Sequence, residues 1–172
     1  QSSFATHAVV PRSNAIKVDA DLPLHLLGPL GCGLQTGAGA VLKALNMRPG
    51  SSVAVIGVGA VGMSAIMAAA NIAKAAVVAA IDINAGRVAL ALELGATHGF
   101  GPGDGSYADM AAKAGRPAGF DYIIDTTGIA ELCNQAALAL APRGELALVG
   151  AYVPGTQIGS DSTFLMSGGR VI

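Results

Sequence analysis

Gly57, Gly59 and Gly62 stand at the spacing G-x-G-x-x-G, directly after the apolar run Val53-Ala54-Val55-Ile56. The sequence Gly57-Val58-Gly59-Ala60-Val61-Gly62 opens a segment with helical character, and a turn of this kind can receive a diphosphate. Gly57 permits the tight turn, Gly59 has no Cβ to keep a phosphate off the backbone, and Gly62 lets the helix pack close on the strand. The first-turn amides, around Ala60 and Val61, lack partners within the helix. They face an anion together with the positive end of the helix dipole. Asp82, with Ile83 beside it, follows about 20 residues after Gly62, the interval expected for an acid that binds a ribose. A carboxylate there accepts hydrogen bonds from both ribose hydroxyls and repels a 2′-phosphate, so NAD is favoured over NADP. Arg87 can serve a 2′-phosphate. Beside Asp82 its expected role is that of a solvated helix residue brushing the ribose.

The elements that must position these groups follow a rhythm. Ser52–Ile56, Ala76–Asp82, His98–Phe100, Phe120–Asp125 and Glu145–Val149 read as strands. Between them lie helical stretches: Ala60–Lys74, a segment capped by Asn84 and running to about Leu94, a weaker Tyr107–Ala114, and Ala130 to about Leu140. Gly95 ends the second of these, Gly101–Gly105 is a loop, and Pro142–Gly144 is a turn. Alternating strands and helices predict βαβ units and right-handed crossovers, hence an α/β fold with a doubly wound parallel sheet. Phe164–Ser167 reads as helical, and a sixth strand starts at Arg170. Ahead of the rhythm, Phe4–Val10 and Ala15–Val18 are strand-like pieces separated by Pro11 and Asn14 with no helix between them. Residues 23–46 read as mostly helical, stopped by Pro49-Gly50.

Composition agrees. The chain has 172 residues, 52% of them hydrophobic and only 12% charged, which argues against disorder and suits strands buried on both faces. A net charge of −1 with scattered basic residues provides no stripe for phosphates, so nucleic acid is not expected as a partner. The longest apolar stretch, Met63–Ile81, is interrupted by Asn71 and Lys74, so no membrane span is expected. Cys32 and Cys133 make no disulfide framework, which fits a reducing, cytoplasmic location. Cys133 reads as a core residue. His7, His25 and His98 are isolated, and none is followed by Glu. Taken alone, Cys32 also reads as a small packed residue.

A wider pattern adds to this. Gly31-Cys32-Gly33, Thr36-Gly37, Pro49-Gly50, the Gly57 turn and Asp82 occur in order, followed by Glu93-Leu94-Gly95-Ala96-Thr97, Asp125-Thr126-Thr127-Gly128, Gly144–Gly150 and Ser167-Gly168-Gly169-Arg170. This series resembles the zinc-dependent alcohol dehydrogenases of the medium-chain dehydrogenase/reductase family. Gln1–Thr6 and Leu27–Gly33 are closest to the aryl (benzyl-type) members.

The resemblance implies a Rossmann-type NAD-binding domain at 51–172, cut at its last strand, and a linking helical region at 23–50. It implies a short remnant of a β-rich, GroES-like catalytic domain at 1–22. Thr36 would lie beside the nicotinamide and Val61 behind its ring. Thr126 and Thr127 would meet the cofactor, and Val149 and Ala151 would flank the turn that meets the carboxamide. Cys32 would be one of three ligands to a catalytic zinc in the full-length parent, whose early Cys and His-Glu ligands nothing here supplies. The implied parent oxidises a primary, aryl alcohol to the aldehyde by hydride transfer to NAD+ and is a homodimer or homotetramer. The isolated chain is expected to be catalytically inactive, with no catalytic residue of its own. Rival readings are a zinc-free NADPH quinone or enone reductase of the same superfamily and a non-enzymatic nucleotide-binding module.

Overall fold

The computed structural model describes residues 5–159 and 161–172. Five parallel strands form one sheet in the order β3-β2-β1-β4-β5. They are β1 Ser52–Ile56, β2 Val77–Ile81, β3 His98–Phe100, β4 Phe120–Asp125 and β5 Leu140–Leu148. Strand β1 is buried throughout and β2 nearly so, because helices cover both faces. Small β-formers therefore suffice where larger side chains would crowd the layers.

The crossovers are α3 Ala60–Asn71, α4 Ala85–Glu93, α5 Tyr107–Lys113 and α6 Ala130–Ala137. Two cores result. One joins β1 and β2 to α3 through residues such as Val53, Val55, Val78 and Ile66. The other joins the sheet's opposite face to α5 and α6 through Ile56, Phe120, Met110 and Cys133. Asn84 caps α4 by accepting the Arg87 amide at 3.1 Å. Ser106 and Asp109 form a reciprocal capping box at the start of α5. Between the central strands, the Ser52 amide and hydroxyl both donate to Asp121, at 2.8 and 2.7 Å.

Several boundaries move from their sequence-based positions for identifiable reasons. Helix α3 stops at Asn71 because Lys74 adopts a left-handed φ of 57° and its carbonyl accepts the Gly50 amide at 2.8 Å. Helix α6 stops at Ala137 because Leu140 pairs with Phe120 and starts β5. Strand β5 spans the expected Pro142–Gly144 turn. The register jumps from Phe120↔Leu140 to Tyr122↔Glu145, and Arg143 has a φ of 64°, so the turn survives as a bulge within the strand. The sixth strand is a single parallel bridge between Val171 and Glu145. It follows α7, Ser162–Gly168.

Ahead of the sheet, the two strand-like pieces expected near the start are not strands. Phe4 lies outside the described residues. Residues 5–22 hold one 3-10 turn, Arg12–Asn14, and Val9 and Ile16 are fully or largely exposed. A strand needs a neighbour to pair its backbone groups, and among the described residues none runs alongside. The helical region resolves into α1 Leu24–Leu27, a 3-10 turn Gly28–Gly31, and α2 Gly33–Gly39, which runs on through a π turn at Ala40–Ala44. Among the described residues, no helix is long and apolar enough to cross a membrane.

Candidate functional site

The strand order reverses between β1 and β4, and an open doubly wound sheet offers a ligand crevice at the carboxyl ends of its strands there. A cavity of about 480 Å³ opens at this place, over the ends of β1, β2 and β4. Gly57 and Gly59 line it from the turn after β1. Asp82, Ile83 and Arg87 line it after β2, and Thr126 and Thr127 after β4.

The three glycines of the turn differ in what restrains them. Gly57 has a φ of 83°, and a Cβ there would stand 2.6 Å from Thr126 Oγ1. A Cβ on Gly62 would meet the Gly57 carbonyl oxygen at 2.1 Å, which is the close packing of α3 on β1 that the spacing predicts. Gly59 is unlike both. Its φ is −73°, open to any residue, and a Cβ there would meet no protein atom within 4 Å.

Asp82 is buried at the cavity wall. Its Oδ2 accepts the Val58 amide and its Oδ1 accepts the Asn84 amide, both at 2.8 Å. The carboxylate thus ties the end of β2 to the turn after β1. Each oxygen keeps acceptor capacity, since a carboxylate can take about four hydrogen bonds. Ile83 and Arg87 are exposed on the outer rim. Thr126 donates from its hydroxyl to the Gly57 carbonyl at 2.6 Å, so the loops after β1 and β4 are joined under the cavity.

The remaining expected positions fall elsewhere. Val58 turns its side chain into the core and contributes only backbone. Ala60 is exposed at the start of α3, Val61 is half-buried, and Gly62 is covered. Thr36 is exposed on α2, which lies against the start of α3. A Cβ on Gly33 would sit 3.5 Å from that of Ala60, and one on Gly37 would sit 2.0 Å from the Val61 carbonyl oxygen. Val149 is half-buried and Ala151 exposed in the loop after β5. None of these lines the cavity itself.

Cys32 is exposed and unpaired in a disulfide. Among the described residues no three His, Cys, Asp or Glu side chains stand close enough together to hold a metal. The described residues therefore do not fit a zinc centre. A dinucleotide is different. The cavity, the unfilled space at Gly59 and the acceptor capacity of Asp82 together fit one.

Two features were not anticipated. The loop after β3 and the start of α5 close the cavity through Pro102, Gly105, Ser106, Tyr107 and Met110. The rule that each strand's carboxyl-end loop faces the crevice could have pointed to them. Burial, and secondarily the nearby Asp125 charge, push the Tyr107 hydroxyl pKa above its ordinary value.

The second feature is Asp125, the last residue of β4, which is fully buried. Its Oδ1 accepts the Thr127 amide at 3.0 Å and the Thr127 hydroxyl at 2.6 Å, and its Oδ2 accepts the Tyr152 hydroxyl. Burial, followed by this donation to Asp125, pushes the Tyr152 hydroxyl well above its ordinary value. Burial likewise raises the Cys133 thiol beside it.

Comparison with known proteins bears on this geometry. Residues 60–172, well over half the chain, match the family model described as zinc-binding dehydrogenase. A geraniol dehydrogenase of Castellaniella defragrans is 44% identical over 167 residues, covering 97% of this chain and 44% of its own length. A crystal structure of an alcohol dehydrogenase zinc-binding domain protein from Burkholderia ambifaria superposes with a TM-score of 0.86 at 49% identity, covering 92% of this chain and 42% of that one. The benzyl alcohol dehydrogenase of Acinetobacter calcoaceticus gives 0.85 at 40% identity, covering 91% and 43%. The chain thus spans less than half the length of each of these relatives.

Proposed function

The chain belongs to the zinc-binding dehydrogenase family, as an NAD(P)-binding domain with alcohol dehydrogenases among its relatives, and from that premise we propose that it holds NAD(H) in the cavity at the ends of β1, β2 and β4. The amides at the start of α3 receive the diphosphate and Asp82 receives the adenosine ribose. Thr126 and Thr127 border the path onward. Bound NAD+ supplies a hydride acceptor, and this chain's residues hold and orient it. The observation that carries the reading is Gly59. The protein's own packing does not require a glycine there, and Gly59 lines the crevice.

Substituting Gly59→Ala tests this. Stability should stay within about 0.5 kcal/mol of the parent, because the methyl group meets nothing. NADH affinity, read by fluorescence titration, should fall about tenfold or more as the methyl occupies the phosphate's approach. Unchanged affinity would overturn the reading.

The finer parts of the proposal rest on this one. Asp82 favours NADH over NADPH by repelling a 2′-phosphate, although Arg87 stands on the same rim. Tighter binding of NADPH would favour a quinone or enone reductase instead. The protein's substrates are primary, aryl alcohols and their aldehydes, a reading supported by the benzyl alcohol dehydrogenase relative. Zinc dependence rests on Cys32 alone among the described residues, so a zinc centre that uses Cys32 must draw its other ligands from elsewhere. The chain by itself should bind NAD(H) and turn nothing over. The two free thiols fit a reducing cytoplasm.

A further inference from the structure

The loops after β4 and β5 are joined more tightly than a parallel pair requires. The Asp125 carbonyl accepts the amides of both Val149 and Gly150, at 2.9 and 3.0 Å. A Cβ on Gly150 would stand 2.1 Å from the Gly128 nitrogen, and one on Gly128 would stand 2.5 Å from the Ala151 carbonyl oxygen. The two backbones therefore lie in direct contact with no side chain between them.

The Asp125 carboxylate adds a second tie. It is fully buried, and among the described residues it accepts from three neutral donors, two from Thr127 and one from Tyr152. An acceptor-only group suits three converging donors, whereas an amide would turn a donor toward one of them. A buried carboxylate without a cation is costly to keep, so its persistence at the rim of a ligand crevice calls for a reason beyond packing. Tyr152 bonds to it from 27 residues away and packs, with Ile158, on the core beside Cys133.

The position of this tie relative to the cavity supplies that reason. The cavity reaches from the loop after β3 across the switch point to Thr126, Thr127 and the first turns of α6 at Ile129, Leu132 and Gln135, and it does not extend to the loop after β5. A dinucleotide lies across such a switch point, one mononucleotide half on each side. With the adenosine half beside Asp82, the other half must extend over the loops after β4 and β5. We propose that Asp125 and Tyr152 are positioning residues, which fix the Val149–Ala151 backbone where the nicotinamide half of the cofactor meets it. This inference rests on the dinucleotide site proposed above.

The test uses Tyr152→Phe in the natural protein, a change that removes one hydroxyl at a half-buried position and leaves the ring. Affinities for NADH and for ADP-ribose, which lacks the nicotinamide, are measured well below the melting temperature. NADH should bind about tenfold more weakly and ADP-ribose within about twofold of the parent. A merely structural hydroxyl would lower the melting temperature without separating the two ligands. Equal losses for both, or no loss for NADH, would overturn the inference and leave the dinucleotide site standing. Failure of the unsubstituted protein to bind either ligand would overturn the site itself, and this inference with it.

Discussion

Asp82 follows β2 on one flank of β1, and Asp125 ends β4 on the other. Both are buried carboxylates at the carboxyl edge of the same sheet. Asp82 accepts two backbone amides, one per oxygen, and lines the cavity. Asp125 accepts three donors and is not among the residues that line this cavity. Asp82 keeps more open acceptor capacity for a ligand, while Asp125 spends more of its capacity joining two loops of its own chain. The same residue type, on the two strands that flank β1, thus acquires different roles from its local donors.

The sharpest way to break this contrast is Asp125→Ala. It strands the Thr127 and Tyr152 donors, and should cost about 3 kcal/mol or more in urea denaturation. A loss no larger than that of Asp82→Ala would show that the two sites do not differ as described. Next comes Asp82→Asn. The turn keeps an acceptor for one amide, so stability should fall by about 1 kcal/mol, while NADH affinity drops about tenfold and the preference over NADPH narrows. Paired titrations with the two reduced cofactors would check it.

An alkaline melt gives a smaller effect. The folded-state values of Tyr152 and Cys133 lie above their ordinary 10.0 and 9.0, chiefly through burial, with Asp125 and the hydroxyl–thiol contact as the neighbouring groups. Their contribution is intact below those ordinary values. It is lost as pH rises, because the unfolded chain ionises first. Melting temperature should therefore decline above about pH 9, and Tyr152→Phe should flatten the part of the decline above about pH 10.

The smallest effect lies at acid pH. The Gly101 amide, and then Lys113, hold the exposed Asp104 carboxyl below its ordinary 3.8. Its stabilisation is present above that value and lost as pH falls through the lowered one. Asp104→Asn should blunt the acid limb of the same melt only slightly.

Much of this was legible in advance, and the reason is local. The turn after β1, the acid after β2 and the cap at Asn84 lie within one βαβ unit and the turn that follows it, so their spacing carries the geometry. Strands β1, β3 and β4 fall where the apolar runs predict. What escaped depends on contacts between units. Tyr152 reaches Asp125 from the loop after the neighbouring strand β5, and nothing in the spacing of either marks the bond. The Ser106–Asp109 box shows in the sequence as Ser-x-x-Asp, yet its bearing on the cavity follows only from the order β3-β2-β1, which brings that loop round. The strand-like pieces near the start form no strand among the described residues, because a strand needs a partner, which local composition does not supply.

Gly37 sets a mechanical offset. Its α-carbon rides on the Val61 carbonyl with no room for a methyl group, and Ser64 fastens the crossing by donating its hydroxyl to the Leu34 carbonyl at 2.5 Å. Thr36 lies next to that fulcrum, and Cys32 one turn back, its carbonyl accepting the Thr36 amide at 2.9 Å. A single added carbon at residue 37 would act as a shim, lifting α2 and swinging both side chains outward together.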